Sequence, residues 1–162
     1  LSIDAEVISE DFVDNQTIVA TATGGSGDYE YQLDGGSWQN SAVFENVFGC
    51  ETHTVSVREA LGCSTEPQKS INLIYYPKFF TPNNDGFNDT WNIKCLENQA
   101  SAKIRIFDRF GKLIKQIRPS GNGWDGTYNG TMLAGSDYWF EINYIDSNGI
   151  ASKYNAHFSL RL

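Results

Sequence analysis

The sequence predicts an all-β protein built as two tandem Ig-like antiparallel β-sandwiches, residues 1–75 and residues 76–162. Three observations carry that expectation. Apolar and polar residues alternate with period two in segment after segment, while the 3.6-residue period of an amphipathic helix is nearly absent. Gly-rich turn signals separate the segments about every ten residues, as between the short strands of a sandwich. Charge is also unevenly divided: residues 1–75 hold 2 basic and 12 acidic side chains, net −10, whereas residues 76–162 hold 10 basic and 8 acidic, net +2. Such a shift in balance marks a change of domain. Pro77, which has no N–H to give to a ladder, falls at the junction near Tyr75–Pro77.

Taken in order, Ile18, Ala20 and Ala22 share one face of a strand over Thr17–Thr23, and Gly24-Gly25-Ser26-Gly27 tolerates the positive φ of a turn. Tyr29, Tyr31 and Leu33 then face one way and Asp28, Glu30 and Gln32 the other, ahead of a hairpin signal at Asp34-Gly35-Gly36. Val55 and Val57 repeat the pattern within His53–Arg58. In the second half, Ile104 and Ile106 lead into a turn at Arg109-Phe110-Gly111-Lys112, with Leu113–Ile117 as the return strand. The longest inward stripe is Tyr138, Phe140, Ile142 and Tyr144, followed by the hairpin dipeptide Asn148-Gly149. Domains of about 75 residues bury little surface, so aromatic side chains are expected to supply much of each core.

Composition narrows the function classes. Aromatic content of 14% and charged content of 20% are those of a folded globular chain rather than a disordered one. No apolar run approaches the roughly 20 residues of a membrane-spanning helix. The chain lacks an initiating Met and a basic-then-apolar leader, and is expected to be a mature or excised fragment, monomeric as such. The acidic first half would repel phosphate, which argues against nucleic acid. Three cysteines leave one over. Cys50 and Cys63 flank the strand around His53–Arg58, about 20 Å in extended geometry, against a disulfide Cα separation of about 6 Å. A Cys50–Cys63 bridge therefore requires the flanking loops to fold back, and Cys95 is expected to be a small buried hydrophobe.

Enzymatic chemistry lacks an inventory. The two histidines, His53 and His157, sit on alternating strands, and no nucleophile-elbow glycine pattern surrounds any serine. The chain is expected not to be an enzyme. The loop Thr81-Pro82-Asn83-Asn84-Asp85-Gly86-Phe87-Asn88-Asp89 places oxygen side chains at alternate positions ahead of a glycine. One reading makes Asn83, Asp85, the Phe87 carbonyl and Asp89 ligands of a Ca²⁺ ion, although Asn92 stands where the closing bidentate Glu would be. The other makes the same side chains turn formers that bond their own backbone. Trp38, Trp91, Trp124 and Trp139 likewise admit two readings, core packing or an exposed platform for surface glycans. The Asn-x-Thr triplets at Asn15, Asn88 and Asn129 are too common by chance to carry an assignment.

One constellation is more specific. The segments FTPNNDGFNDTW, IFDRFGKLI and GWDGTYNG, a later DYWF and a closing HFSLRL lie in that order over residues 76–162. Together they resemble the type B C-terminal sorting domain of the type IX secretion system, also called the gliding-motility-associated C-terminal domain, of Bacteroidota. Asn84 stands where a Gly is more familiar, Phe110 where a Trp is, and the chain finishes on Leu162 after Arg161. Less specifically, ATATGGSGDYEYQLDGG over Ala20–Gly36 and HTVSVREALGCS over His53–Ser64 resemble the Ig-like repeat of gliding adhesins and other cell-surface proteins.

The resemblance implies a secretion address rather than a catalyst: a module read by the type IX translocon, with an outer-membrane barrel-type protein as partner, that takes a cell-surface adhesin across the outer membrane. The expected recognition element is His157, Phe158, Ser159, Leu160, Arg161 and Leu162. Alternation puts Phe158, Leu160 and Leu162 on an anchoring face and His157, Ser159 and Arg161 on the other, where Arg161 is expected to contribute to recognition by a receptor that pairs with the strand; the other reading is that the strand merely completes the sheet. The alternative function is a carbohydrate- or surface-binding β-sandwich module, and a third is a pair of stalk domains.

Overall fold

The computed structural model describes residues 1–62 and 65–162; Cys63 and Ser64, and with them the Cys50–Cys63 pairing, lie outside the described residues. The chain divides into two compact units, Leu1–Tyr75 and Tyr76–Leu162. Among the described residues, strands make up nearly all regular structure, with one short 3₁₀ turn at Lys94–Leu96.

The first unit contains β1 (Ser2–Val7), β2 (Gln16–Thr23), β3 (Tyr29–Leu33), β4 (Val43–Val47), β5 (Thr52–Glu59) and β6 (Gln68–Asn72). They form two three-stranded antiparallel sheets, ordered β1-β2-β4 and β3-β5-β6. Period-two alternation drives the assembly. Ile18 on β2 and Val55 and Val57 on β5 are fully buried, with Tyr31, Phe44 and Leu73 packed among them. Asp34 and Gly35 both adopt positive φ, 50° and 73°, and Gly36 N–H returns to the Leu33 carbonyl at 2.9 Å, the turn that an Asp-Gly pair favours. A buried polar residue breaks the pattern. Gln16 is fully buried; its side-chain amide donates to the carbonyls of Val13 (3.3 Å) and Ile74 (2.9 Å), while its Oε1 is buried without a partner among the described residues, so the cost of taking it out of water is only partly offset.

The second unit contains β7 (Phe79–Phe80), β8 (Lys103–Phe107), β9 (Leu113–Ile117), β10 (Thr127–Tyr128), β11 (Thr131–Met132), β12 (Ser136–Ile145) and β13 (Ala151–Leu160). One five-stranded sheet, ordered β7-β13-β12-β8-β9, dominates it, and β10 and β11 form a separate two-stranded hairpin. The long strands β12 and β13 pair antiparallel over their whole length, from Ser136 opposite Leu160 to Ile145 opposite Ala151. The antiparallel expectation meets one exception: β7 runs parallel to β13, with Phe79 opposite Ser159 and Phe80 opposite Leu160. A parallel neighbour needs a long crossover, and nearly the entire unit lies between the two strands.

Facing the sheet, the irregular segments around Trp91 and Trp124 exchange backbone hydrogen bonds in both directions, each 2.9 Å. Asn92 ties further backbone to them. It is buried, its amide donates to the carbonyls of Arg118 (3.3 Å), Pro119 (3.2 Å) and Gly121 (3.1 Å), and its oxygen accepts from Ile93 N–H. Cys95 is buried, as expected. Polar loops carrying indole rings thus supply the layer opposite the sheet.

Gly123 is pinned on two counts. Its φ is +88°, and a Cβ there would lie 2.7 Å from the Trp91 carbonyl oxygen, a backbone atom that cannot swing aside. Gly123→Ala is expected to destabilise the chain by about 2–4 kcal/mol, read by denaturant unfolding followed through tryptophan fluorescence. Gly130→Ala, also at positive φ but with open space around it, should cost the backbone term alone, about 1–2 kcal/mol.

Candidate functional site

The closing strand is the element that the sequence singles out, and the fold brings its side chains into two sharply different settings. Phe158 and Leu160 are each 1% exposed. Phe158 stacks on Trp91 with ring centroids 4.0 Å apart and planes 10° from parallel, and it also meets Trp124, Phe80, Tyr138 and Phe140. Those two residues anchor the strand. Leu162 does not: β13 ends at Leu160, and the Leu162 side chain is 80% exposed. Alternation extended through Arg161 fails because the ladder stops there, so the third anchor is withdrawn.

Strand pairing by a receptor at these residues also needs correction. β13 is not a sheet edge at its end. β12 lies on one side, and on the other Ser159 N–H donates to the Lys78 carbonyl (2.9 Å) and Arg161 N–H to the Phe80 carbonyl (3.0 Å). Another strand could add here only by displacing β7. What remains readable is side chains. The Ser159 hydroxyl and Asp137 carboxylate share a 2.6 Å hydrogen bond, His157 Nδ1 lies 3.7 Å from Asp137, and the Arg161 guanidinium stacks over the Phe79 ring at 4.2 Å.

Behind this surface the family-like motifs perform turn work. In Ile106–Lys112, the Asp108 carboxylate accepts from the amides of Phe110 (2.9 Å) and Lys112 (3.0 Å), holding Phe110 outward and 81% exposed. In the Trp124-Asp125-Gly126-Thr127 turn, Asp125 accepts from the Thr127 amide (3.0 Å) and hydroxyl (2.7 Å), and the Trp124 indole N–H donates to the Thr127 carbonyl. The two Thr127 hydrogen bonds hold the Asp125 carboxyl below its ordinary range. A groove of about 350 Å³ lies between the two motifs, with Phe110, Lys112, Tyr128, Leu133 and Tyr138 among its walls.

In the Asn83–Asp89 loop, the side-chain oxygens are spent on backbone. Asp89 accepts from the amides of Asn84 (2.7 Å) and Gly86 (2.8 Å), Asn83 from Asp85 N–H (3.2 Å), and Asp85 from Phe87 N–H (2.8 Å). Asn84, Gly86 and Asn88 take positive φ. These are the hydrogen bonds that the turn-forming reading requires, and among the described residues no group of three or more His, Cys, Asp or Glu side chains lies together. Of the four tryptophans, Trp91 and Trp124 are core residues, Trp38 lies under Arg58 at 4.2 Å, and Trp139 is 40% exposed on the sheet. His53 is buried beside Asp34, its Nδ1 at 2.6 Å. Burial pushes Asp34 up, but hydrogen bonds from His53 and the Thr54 amide outweigh it and hold the carboxyl low.

A family comparison decides what this arrangement belongs to. Residues 74–158 match the model of the CHU_C type IX secretion signal domain, more than half of the chain. The chain belongs to the type IX secretion signal domain family. No curated protein matches it. Among solved structures, it is similar to the three N-terminal domains of the bacteriophage RB49 Highly Immunogenic Outer Capsid protein at 12% identity and TM-score 0.33, covering 99% of this chain and 58% of that one. It is also similar to dimeric latent PorU from Porphyromonas gingivalis at 15% identity and TM-score 0.30, covering 96% of this chain and 20% of that one. At such scores neither likeness bears on fold or function.

The sequence missed Asn92 and Asp137, and the first was legible only as a failed calcium ligand. Nothing in a linear pattern shows that Asp137 faces Ser159, since that depends on the register of β12 and β13.

Two expectations follow. Leu160→Ala should destabilise the chain by about 2–5 kcal/mol, and Leu162→Ala should leave stability within about 0.5 kcal/mol of the parent, compared by thermal or denaturant unfolding. Because Asp125 is depressed in the folded chain, its contribution is present above the ordinary Asp value of about 3.9 and is lost as pH falls through the folded value. Thr127→Val should raise the Asp125 pKa toward that ordinary value, as followed by carboxyl ¹³C NMR titration.

Proposed function

We propose that residues 76–162 form a non-catalytic export address that takes a cell-surface adhesin through the type IX secretion system, and that residues 1–75 are a repeat of that adhesin. The observation that carries this reading is the coincidence of the family match, residues 74–158, with the compact unit Tyr76–Leu162. An address must survive passage to its reader as a fixed shape. The stacked Trp91–Phe158 pair supports such rigidity, as does the lock of Ser159 and Arg161 onto the β7 backbone. The reader we infer is the translocon with an outer-membrane barrel-type partner, reached from the periplasm.

Appending residues 76–162 to a periplasmic reporter in a cell with a working type IX system tests this directly. The reporter is expected outside the cell or on its surface. Retention in the periplasm, with the appended unit folded, would overturn the proposal.

A further inference from the structure

We infer that the machinery reads this unit as a folded surface, the solvent face of the five-stranded sheet, and that the reading partner is a protein surface with an apolar centre ringed by carboxylates. The inference rests on the export reading and names which face of the unit that reading uses. Its starting point is the fate of the backbone. With Ser159 and Arg161 bonded to Lys78 and Phe80, and β12 paired along the other side, the end of the strand offers no ladder to a linear reader.

The side chains on that face are arranged by register. His157 stands opposite Trp139, Trp139 opposite Phe107, and Phe107 opposite Leu113, so four strands contribute one continuous row. Trp139 is 40% and Leu113 49% exposed, and the Trp139 and His157 rings lie 6.0 Å apart. The water-facing side of an antiparallel sheet is ordinarily polar, and this row departs from that rule. Exposed Trp139 and Leu113 with half-buried Phe107 between them, and the His157 ring at the end, make an aromatic and apolar strip of the composition of an interface centre.

The flanks set the partner's chemistry. On one side of the row, Asn155, Glu141, Arg105 and Gln116 align in register; beyond them come Lys153, Asn143 and Lys103. On the other side stand Ser159, Asp137 and the Arg161–Phe79 stack. Glu141 is shared between Lys153 (3.1 Å) and Arg105 (3.7 Å), and Asp137 is engaged by Ser159. Lys103, Arg105, Lys153 and Arg161 outnumber the two carboxylates, which leaves the rim positive and complementary to an acidic one. A peptide of His157–Leu162 alone would carry one member of the row.

The test uses the full 162-residue chain behind a periplasmic leader, in a type IX-competent cell, with extracellular yield and melting temperature measured for each variant. Trp139→Ala, and separately the double neutralisation Arg105→Gln with Lys153→Gln, which removes two exposed pairs to Glu141 without setting like charges beside it, are each expected to cut export by about tenfold or more with the melting temperature close to the parental one. Glu45→Lys, exposed on β4 of the first unit, should be exported like the parent. The neutralised residues are half exposed and, among the described residues, pair only with Glu141, so they decide the matter should Trp139→Ala perturb folding. Export of both face variants at the parental level would overturn the inference, as would export of a reporter carrying only His157–Leu162. Loss of binding to a polysaccharide matrix by Trp139→Ala, with export intact, would assign the face to glycans and overturn it too. Failure of the parent chain to be exported would instead remove the export reading itself.

Discussion

The second unit depends on the packing of one ring. Phe158, near the end of the last strand, lies flat on Trp91 and within reach of four further aromatic side chains drawn from β7, β12 and the turn at Trp124. A domain of this size has a poor ratio of core to surface. Large rings compensate, because each buries a wide apolar area at the cost of few rotatable bonds. Stacked and tilted rings also fix relative orientation in a way that aliphatic contacts do not. The closing strand is thereby held at one height and one rotation, and its outward side chains inherit that definition.

Around that centre, polar groups specify the loops opposite the sheet. Asn92 gathers three carbonyls, Asp125 and Asp108 hold tight turns, and Asp89 folds the Asn83–Asp89 loop onto its own amides. Asn92 is buried, Asp108 and Asp89 are half-buried and Asp125 is exposed, and each has hydrogen-bond partners, the condition under which a polar group adds definition while its desolvation cost is offset. The recurring Asn, Asp and Gly of these motifs hold the backbone of the loops.

Much of the fold was legible in the sequence because its signals are local. Period-two alternation located β2, β3, β5, β8 and β12, and turn dipeptides located the hairpins, since both follow from the chemistry of adjacent residues. What escaped was non-local. The parallel pairing of β7 with β13 joins residues about 80 apart and is set by how the crossover packs. The exposure of Leu162 follows from where the ladder stops. The candidate surface was half legible: His157, Ser159 and Arg161 came from alternation, while Trp139, Phe107 and Leu113 join them only through register.

The pairing of Phe79 and Phe80 with Ser159 and Leu160 has a consequence for synthesis. Contacts between residues so distant along the polypeptide carry a high loop-closure entropy and form late. The unit cannot close its sheet until Phe158 has emerged and found Trp91. Completion of the fold therefore acts as a certificate of integrity: a polypeptide clipped ahead of Phe158 would lack the keystone ring and could not display the composite face. Quality control and targeting would then share a single structural event.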